Sequence, residues 1–414
     1  MDWGNINKKL GRSKTKYQFY FGDYDYNDYS KGEIARKLPK QHVGWGRRAV
    51  DIRSNKTVFD KFENDTLGLN DLLKKYKVIE AFDKIKDDIL VCGCGFLALN
   101  NDRVYPFTAE EATGTFNWRE QNLSRGVAVY RRETQKGFKG VRGANTPNAF
   151  IEYDRAFTRV FEDGKLTTEI NVTGRPFIGL LTHKSTAKRP FGQSVLTSAA
   201  RGAIIDASRT IRQAMVAAYH YNTKVDVILG ADSATPVERV EGQTGDILKI
   251  GPNDDGQIPS IGQFAQHAMT PFTDTIATAA RNFCADTKLS LANLAISTDA
   301  PQSTEALEII NDDLRDDILA WQKELGEQLK YFAVTLWMRD NGVQAIDSNI
   351  QEKIDATVPV FMSVYRQDVS KFGDGIIKIA QQAPAIVESR SLWRNLGLTS
   401  EEIDSVIESA NNVL

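Results

Sequence analysis

The sequence predicts an α+β fold built around two long helices. Three observations carry this. From Ser194 the chain runs to Tyr221 with no proline and one glycine, and Leu196, Ala199, Ala203, Ala207, Ile211, Ala214 and Ala218 recur every three or four residues. A second stripe, Leu307, Ile310, Leu314, Ile318, Trp321, Leu325, Leu329, Phe332 and Leu336, keeps the same period. Before the first rod and between the two lie short apolar runs broken by turn residues, which read as strands.

Bulk properties bound the answer. A chain of 414 residues, 41% hydrophobic, can bury a sizeable core and should hold two or three domains. Lys and Arg number 52 against 54 Asp and Glu, a formal net charge of −2, which argues against general adhesion to duplex DNA. Three cysteines argue against a disulfide framework and fit assembly in a reducing cytosol. The first residues lack the apolar core of a signal peptide, and no window approaches 18 apolar residues.

Residues 1–90 are polar and aromatic. The run from Tyr17 to Tyr26 alternates rings with small polar residues, which suits an extended arm, a strand or an aromatic packing patch. Leu67 to Ile89 reads as one or two amphipathic helices through Leu69, Leu72, Leu73, Tyr76, Ile79, Phe82, Ile85 and Ile89. Residues 90–190 change period: Gly126–Arg132, Ala149–Tyr153, Ala156–Phe161, Leu166–Ile170 and Phe177–Leu181 look like strands of an antiparallel sheet. Cys92-Gly-Cys94 has the wrong spacing for a metal or redox pair. The basic, glycine-rich run from Lys136 to Gly143 lacks the phosphate-loop pattern. His42, His183, His220 and His267 are scattered and form no triad or metal set.

Pro190 and Gly192 mark a loop, and Ser194 is placed to cap the first rod, about 40 Å long at 1.5 Å per residue. Its seam is mostly alanine, so a neighbouring helix can approach closely. Val225–Leu229 and Asp246–Ile250 read as strands, and the acids in Gly251–Gly256 lack calcium-loop spacing. Residues 263–287 return to helical spacing through Phe272, Ile276, Ala279, Ala280 and Phe283, with Pro271 in a first turn or at a kink. Lys288 to Pro301 is too apolar for an ordinary exposed loop. Ser303 is placed to cap the second rod, whose N-terminal half gathers Asp312, Asp313, Asp316 and Asp317.

The order of these elements resembles the portal proteins of tailed bacteriophages. The resemblance rests on a strand, Pro190-Phe-Gly-Gln-Ser194, a helix carrying Ile204-Ile-Asp-Ala207 and Arg209-Thr210, a strand ending Ile228-Leu-Gly230, a β tip, a helix, an apolar loop, and a helix opened by Ser303-Thr-Glu-Ala306. It covers roughly residues 175–345. It implies a dodecameric ring at one capsid vertex, through which double-stranded DNA is packaged and ejected. Carried over, residues 1–190 resemble the N-terminal part of a mixed α/β wing, 191–222 a stem helix, 223–262 a small β-containing clip and 263–287 the second stem helix. Residues 288–302 resemble the tunnel loop, 303–384 the long kinked tunnel helix with the rest of the wing, and 385–414 a short helical crown.

The same resemblance implies site residues. Lys288, Leu289, Ser290, Leu291, Ala292, Asn293 and Leu294 are expected near the DNA. Val225, Asp226, Val227, Asp246, Lys249, Asn253, Asp254 and Asp255 would dock the terminase large subunit and then the head-completion adaptor. Ser194, Arg201, Asp206, Arg209 and Thr210 belong to the stem helix. Asp312, Asp313, Asp316 and Asp317, if they face a channel, would repel phosphates and keep friction low. Major capsid and scaffolding proteins are further expected partners, in a virion vertex assembled in the host cytoplasm. No cofactor, membrane contact or enzymatic activity is implied. Two rival readings follow from the same residues: another head–tail connector or minor head protein, and a metal-dependent nuclease using the Asp312–Asp317 cluster.

Overall fold

The structure, a computed structural model, describes residues 13–30, 33–131, 149–162, 165–171, 173–221, 226–229, 237–242, 245–250, 252, 255–257, 260–263, 268–296, 311–364, 389–395, 398 and 400–411. The fold is α+β, with antiparallel pairing in every described sheet. The chain divides into two compact units, one of Met1–Tyr24, Gly44–Gly202 and Asn282–Leu414, the other of Asp25–Val43 and Ala203–Arg281.

In the first unit, helices α1 (Lys14–Phe21) and α3 (Trp45–Asn55) precede strand β1 (Phe59–Glu63), then α4 (Leu69–Lys75) and α5 (Val78–Cys92). The short α2 (Glu33–Lys37) lies in the second unit. Of the run at 17–26, read as an arm, a strand or a packing patch, residues 17–21 form the end of α1, closed by Gly22 at φ 84°. Its rings do form a packing patch. Phe19 stacks on Tyr24 at 4.6 Å, and Tyr17 Oη donates to Asp88 Oδ1 over 2.6 Å. These tertiary partners outweigh the strand preference of the alternating rings.

Strand β2 (Cys94–Asn100) lies between β3 (Arg103–Thr108) and β9 (Ile178–Thr182). It is buried on both faces, which is why it reads as one unbroken apolar run instead of alternating. One face meets α5, where a Cβ on Gly95 would lie 2.6 Å from Ile85. The same face of the neighbouring β9 meets α8 (Asp312–Asn341), where a Cβ on Gly179, which pairs with Leu97, would lie 2.7 Å from Phe332. A second sheet runs β4 (Ala112–Asn117), β5 (Asn122–Arg131), β6 (Ala149–Asp154), β7 (Phe157–Glu162) and β8 (Lys165–Ile170). Gly126 turns toward Ile178 of β9, and Tyr153 Oη donates to Leu99 O over 3.0 Å, so this sheet packs onto the first. Its opposite face carries Val127, Val129 and Phe150, with Phe161 packed on them. Strands β1, β3 and β4 were not anticipated. Charged or small residues interrupt their apolar pattern, and pairing with neighbours decides them.

The stripe expected on the second rod is borne out across α8: Leu314, Ile318, Trp321, Leu325, Leu329, Phe332 and Leu336 are all buried. Ser303, Leu307 and Ile310 lie outside the described residues. Beyond α8, α9 (Ser348–Ala356) leads to β14 (Val358–Phe361), which pairs with β1. Helices α10 (Arg390–Asn395) and α11 (Ser400–Asn411) follow. They attach to β1 by charge, through Arg394 to Glu63 and Lys61 to Asp404.

Helix α6 (Ser198–Tyr221) starts later than Ser194. Thr197 is the cap, its Oγ1 accepting from Ala200 N over 3.1 Å. Ser194 instead closes the preceding turn, donating to Val91 O and accepting from Leu196 N. The expected seam is buried at Leu196, Ala203 and Ala207, together with Ala200, Ile204 and Val216, whereas Ala199 is exposed and Ile211, Ala214 and Ala218 are half-buried. An alanine-rich helix has small residues on several faces, so periodicity alone does not select one. Thr197→Ala removes the cap and a hydrogen bond to Asp286. It should lower stability by about 1–2 kcal/mol in a denaturant titration, with Thr197→Ser near the parent.

The second unit holds most of α6 and of α7 (Thr270–Thr287), whose predicted stripe meets the structure at Ala279, Ala280 and Phe283. Pro271 stands in the first turn of α7 and makes no kink. The expected helical run from 263 does not begin there, because Gln263 ends strand β13 (Ser260–Gln263). That strand pairs with β10 (Asp226–Leu229), and β11 (Val237–Gly242) forms a hairpin with β12 (Gly245–Ile250).

Candidate functional site

A cluster of buried charge lies at the C-terminal end of α7. On α8, Leu314, Asp317, Ile318 and Trp321 fall on one face at helical spacing, so Asp317 projects inward with the core residues. On α3, Ala49, Val50, Arg53 and Ser54 form the buried face, so Arg53 also points inward. The two meet. Arg53 Nε and Nη2 donate to Asp317 Oδ2 over 3.2 and 3.3 Å, with both side chains 2% exposed. Arg53 Nη1 donates to Ala49 O over 2.9 Å, and Nη2 donates to Thr287 O, the carbonyl that ends α7. The cation therefore also sits at the negative end of a helix dipole.

Two lysines complete the cluster. Lys184, just past β9, places Nζ 2.5 Å from Asp317 Oδ1, and Lys288, just past α7, places Nζ 3.3 Å from the same oxygen. Burial alone would raise the Asp317 carboxyl. The hydrogen bond from Lys184 and the charges of Arg53, Lys184 and Lys288 override it and hold the group at about 2. Burial pushes the Arg53 guanidinium below its usual range, and Asp317 opposes that shift.

From this anchor the 288–296 loop is built. Lys288 adopts a left-handed φ of 54°, and Leu289 N donates to Cys284 O over 3.2 Å. Leu289 and Ser290 are buried. Ser290 Oγ accepts from Asn293 N and opens a 3₁₀ turn over Leu291–Leu294, which ends at Ala295 with φ 56°. Arg48 Nε donates to Asn293 O over 2.9 Å, and Asn293 Nδ2 donates to Asn311 Oδ1 over 2.9 Å. The apolar character noted in the sequence thus belongs partly to the anchor, while Ala292 and Ala295 stay exposed.

The four acids do not act as one group. Asp312, Asp313 and Asp316 are exposed, with Arg315 2.9 Å from Asp312 and 4.0 Å from Asp316. Asp317 is buried and committed to three cations, which corrects its expected place among channel-lining acids. Adjacent helical residues point about 100° apart, so a run of acids need not share a face. The same commitment removes Asp317 from any metal-binding set.

On α6, the Arg201 guanidinium lies 5.7 Å from the Phe19 ring centroid. Asp206 is exposed beside Arg209, and Arg209 Nε donates to Asn27 O over 3.1 Å. Thr210 Oγ1 donates to Asp206 O within the helix. Sequence reading missed Arg212, which is buried and binds the Asp28 carboxylate and the Ala35 and Leu38 carbonyls. Of the expected partner-docking residues, Asp226 and Val227 lie opposite Gln263 and Gly262 in β10–β13. Asp246 and Lys249 lie opposite Glu241 and Glu238 in β11–β12, and Asp255 is exposed. Val225, Asn253 and Asp254 fall outside the described residues.

Other features carry less. A cavity of about 380 Å³ is lined by Phe116, Trp118, Glu324, Glu327 and Tyr331. Its carboxylates are engaged, Glu324 by Thr182, Lys184 N and Ser185, Glu327 by Lys330. His183 is buried, with Nδ1 2.7 Å from Gln193 O, and burial pushes it down to about 4, so it stays neutral. Burial raises Cys92 and Cys94 to about 11 and 12, so both remain thiols. Among the described residues no three His, Cys, Asp or Glu side chains are grouped to hold a metal ion. Arg53 and Lys184 also went unread as site residues. The available signal for Arg53 was a lone charge on the apolar face of α3; Lys184 offered none.

No protein-family model matches the chain, and no curated protein matches it. Solved structures do resemble it. One is described as the virion of a native gene transfer agent (GTA) particle, 14% identical, covering 90% of this chain and 95% of that chain with a TM-score of 0.48. A second is the neck of a native GTA particle computed with C12 symmetry, at 14% identity, 87% and 89% coverage and a TM-score of 0.47. A third is the neck of an empty GTA particle computed with C6 symmetry, at 15%, 79% and 81%, and 0.45.

Proposed function

We propose that the chain is a portal-type virion protein: a non-enzymatic, ring-forming conduit for double-stranded DNA at a capsid vertex. The observation that carries this reading is the order of elements. Strand β9 leads through Pro190-Phe-Gly-Gln-Ser194 into the 24-residue α6. Then come β10–β13, the 18-residue α7, the anchored 288–296 loop and the 30-residue α8. This is the order on which the sequence resemblance rests, with each described element present as helix or strand where the resemblance needs one.

In this reading α6 and α7 are the stem, the 288–296 loop lies beside the DNA and α8 backs it. The expected ring is a dodecamer. Its β-containing tip docks a terminase large subunit and then a head-completion adaptor, while capsid and scaffolding proteins meet the wing. The exposed Asp312, Asp313 and Asp316 suit a surface past which DNA slides, since like charges repel phosphates. Arg53, through Thr287 O and Asp317, fixes the end of α7 to the start of α8 and so sets the loop's position between them.

The test is particle mass in solution by light scattering, with negative-stain imaging. A ring of about half a megadalton with a central hole is expected, since a closed cyclic assembly has a defined size. A stable monomer or dimer that cleaves DNA with Mg²⁺, and loses that activity in Asp313→Asn, would replace this reading with the nuclease.

A further inference from the structure

Three cations converge on one carboxylate beneath the 288–296 loop, which leaves the cluster two positive charges in excess. Arg53 spends its contacts inside, on Asp317, Ala49 O and Thr287 O. The excess therefore sits on Lys184 and Lys288, whose side chains are each 45% exposed. Both ammoniums stand beside the same oxygen, Asp317 Oδ1, so they are held as neighbours, unlike ordinary surface lysines. Each keeps donors to spare, since an ammonium has three N–H groups.

The backbone is arranged to present them. Lys184 and Lys288 both occupy left-handed conformations, φ 52° and 54°, which are unfavourable for a residue with a Cβ. Lys184 N is fixed by Glu324 Oε2 over 3.0 Å. Lys288 follows directly on Thr287, whose carbonyl Arg53 holds. Two strained residues from distant parts of the chain thus bring two point charges to one spot, on a buried carboxylate that both orients them and is too small a counter-charge to neutralise them.

We propose that Lys184 and Lys288 form a docking site for a phosphate-type oxyanion, which bridges the two ammoniums. The excess charge matches a dianion or consecutive phosphodiesters, and ammoniums serve as point charges for phosphate oxygens. Assigning the phosphate to a DNA backbone rests on the conduit reading; the oxyanion site itself does not.

The test uses the full chain, a labelled 20-base-pair duplex in a salt series read by fluorescence anisotropy, and inorganic pyrophosphate read by thermal shift. Lys184→Gln with Lys288→Gln should weaken duplex binding and flatten the slope of log K against log salt by about two, because each lost phosphate contact removes nearly one counterion. Lys288→Gln alone should flatten it by about one. Lys184→Arg with Lys288→Arg should bind like the parent. So should Lys74→Gln with Lys323→Gln, which alters two other exposed lysines. Loss of both duplex and pyrophosphate binding in the Gln pair identifies a phosphodiester site. Loss of pyrophosphate binding alone identifies a site for free phosphate, and a monomer that still shows it keeps the site while ending the ring. The proposal is overturned if the folded Gln pair binds both probes like the parent, or if the parent binds neither.

Discussion

Asp317→Asn should lower the unfolding free energy by about 3–5 kcal/mol, the usual cost of removing one partner from a buried ion pair. Arg53 would keep its charge at 2% exposure and lose its carboxylate, while Asn offers one neutral acceptor. Lys184 and Lys288 contribute less to the loss, since their ammoniums can turn to water. Replacing both partners, Arg53→Met with Asp317→Leu, should recover much of the deficit, because neither desolvated charge remains. An unfolding free energy for Asp317→Asn within 0.5 kcal/mol of the parent, from denaturant titration, would refute this account of the anchor.

The same group dictates an acid sensitivity. Its carboxyl is held at about 2 in the folded chain, below the ordinary carboxylate value near 3.9. A depressed carboxylate contributes stability that is fully present above the unfolded value and is lost as pH falls from about 4 toward 2, here on the order of 2 kcal/mol. Stability measured across that window should fall less steeply in Asp317→Asn than in the parent.

Gly192→Ala should cost about 3 kcal/mol or more, or abolish soluble expression. Gly192 has φ 68°, and a Cβ there would lie 2.3 Å from Gly93 O and 2.6 Å from His183 O. These are backbone atoms, tied by His183 N to Gly93 O at 3.0 Å and Gln193 N to His183 O at 2.7 Å, so no rotamer change relieves the clash. Gly93, at φ 96°, faces the Gln193 backbone across the same crossing. The contrast is Gly202→Ala on α6, where a Cβ meets nothing within 4 Å. There alanine should stabilise by roughly 0.5–1 kcal/mol. If Gly192→Ala unfolds at the same denaturant concentration as the parent, the crossing is not what this glycine serves.

Much of the fold was legible, and the reasons are local. The stripe on α8 follows from 3.6-residue periodicity. The glycine in Pro190-Phe-Gly-Gln-Ser194 announced a turn, though not that another backbone lies against it. The aromatic run at 17–26 announced a packing patch but not its backbone, because its partners, Asp88 and Tyr24 among them, decide between strand and helix.

The sequence by itself determined the class of the fold, its two long helices, the loop that joins their region and the order in which they follow one another. These depend on residue spacing within a few turns, and spacing is written in the chain. Only the tertiary structure decided which face of α6 is buried, that Asp317 turns away from its three acidic neighbours, and that Arg53, Lys184 and Lys288 meet on it. The physical reason is that a charge on a helix can be solvated or paired. The choice belongs to whatever group the fold brings opposite, here an arginine 264 positions away.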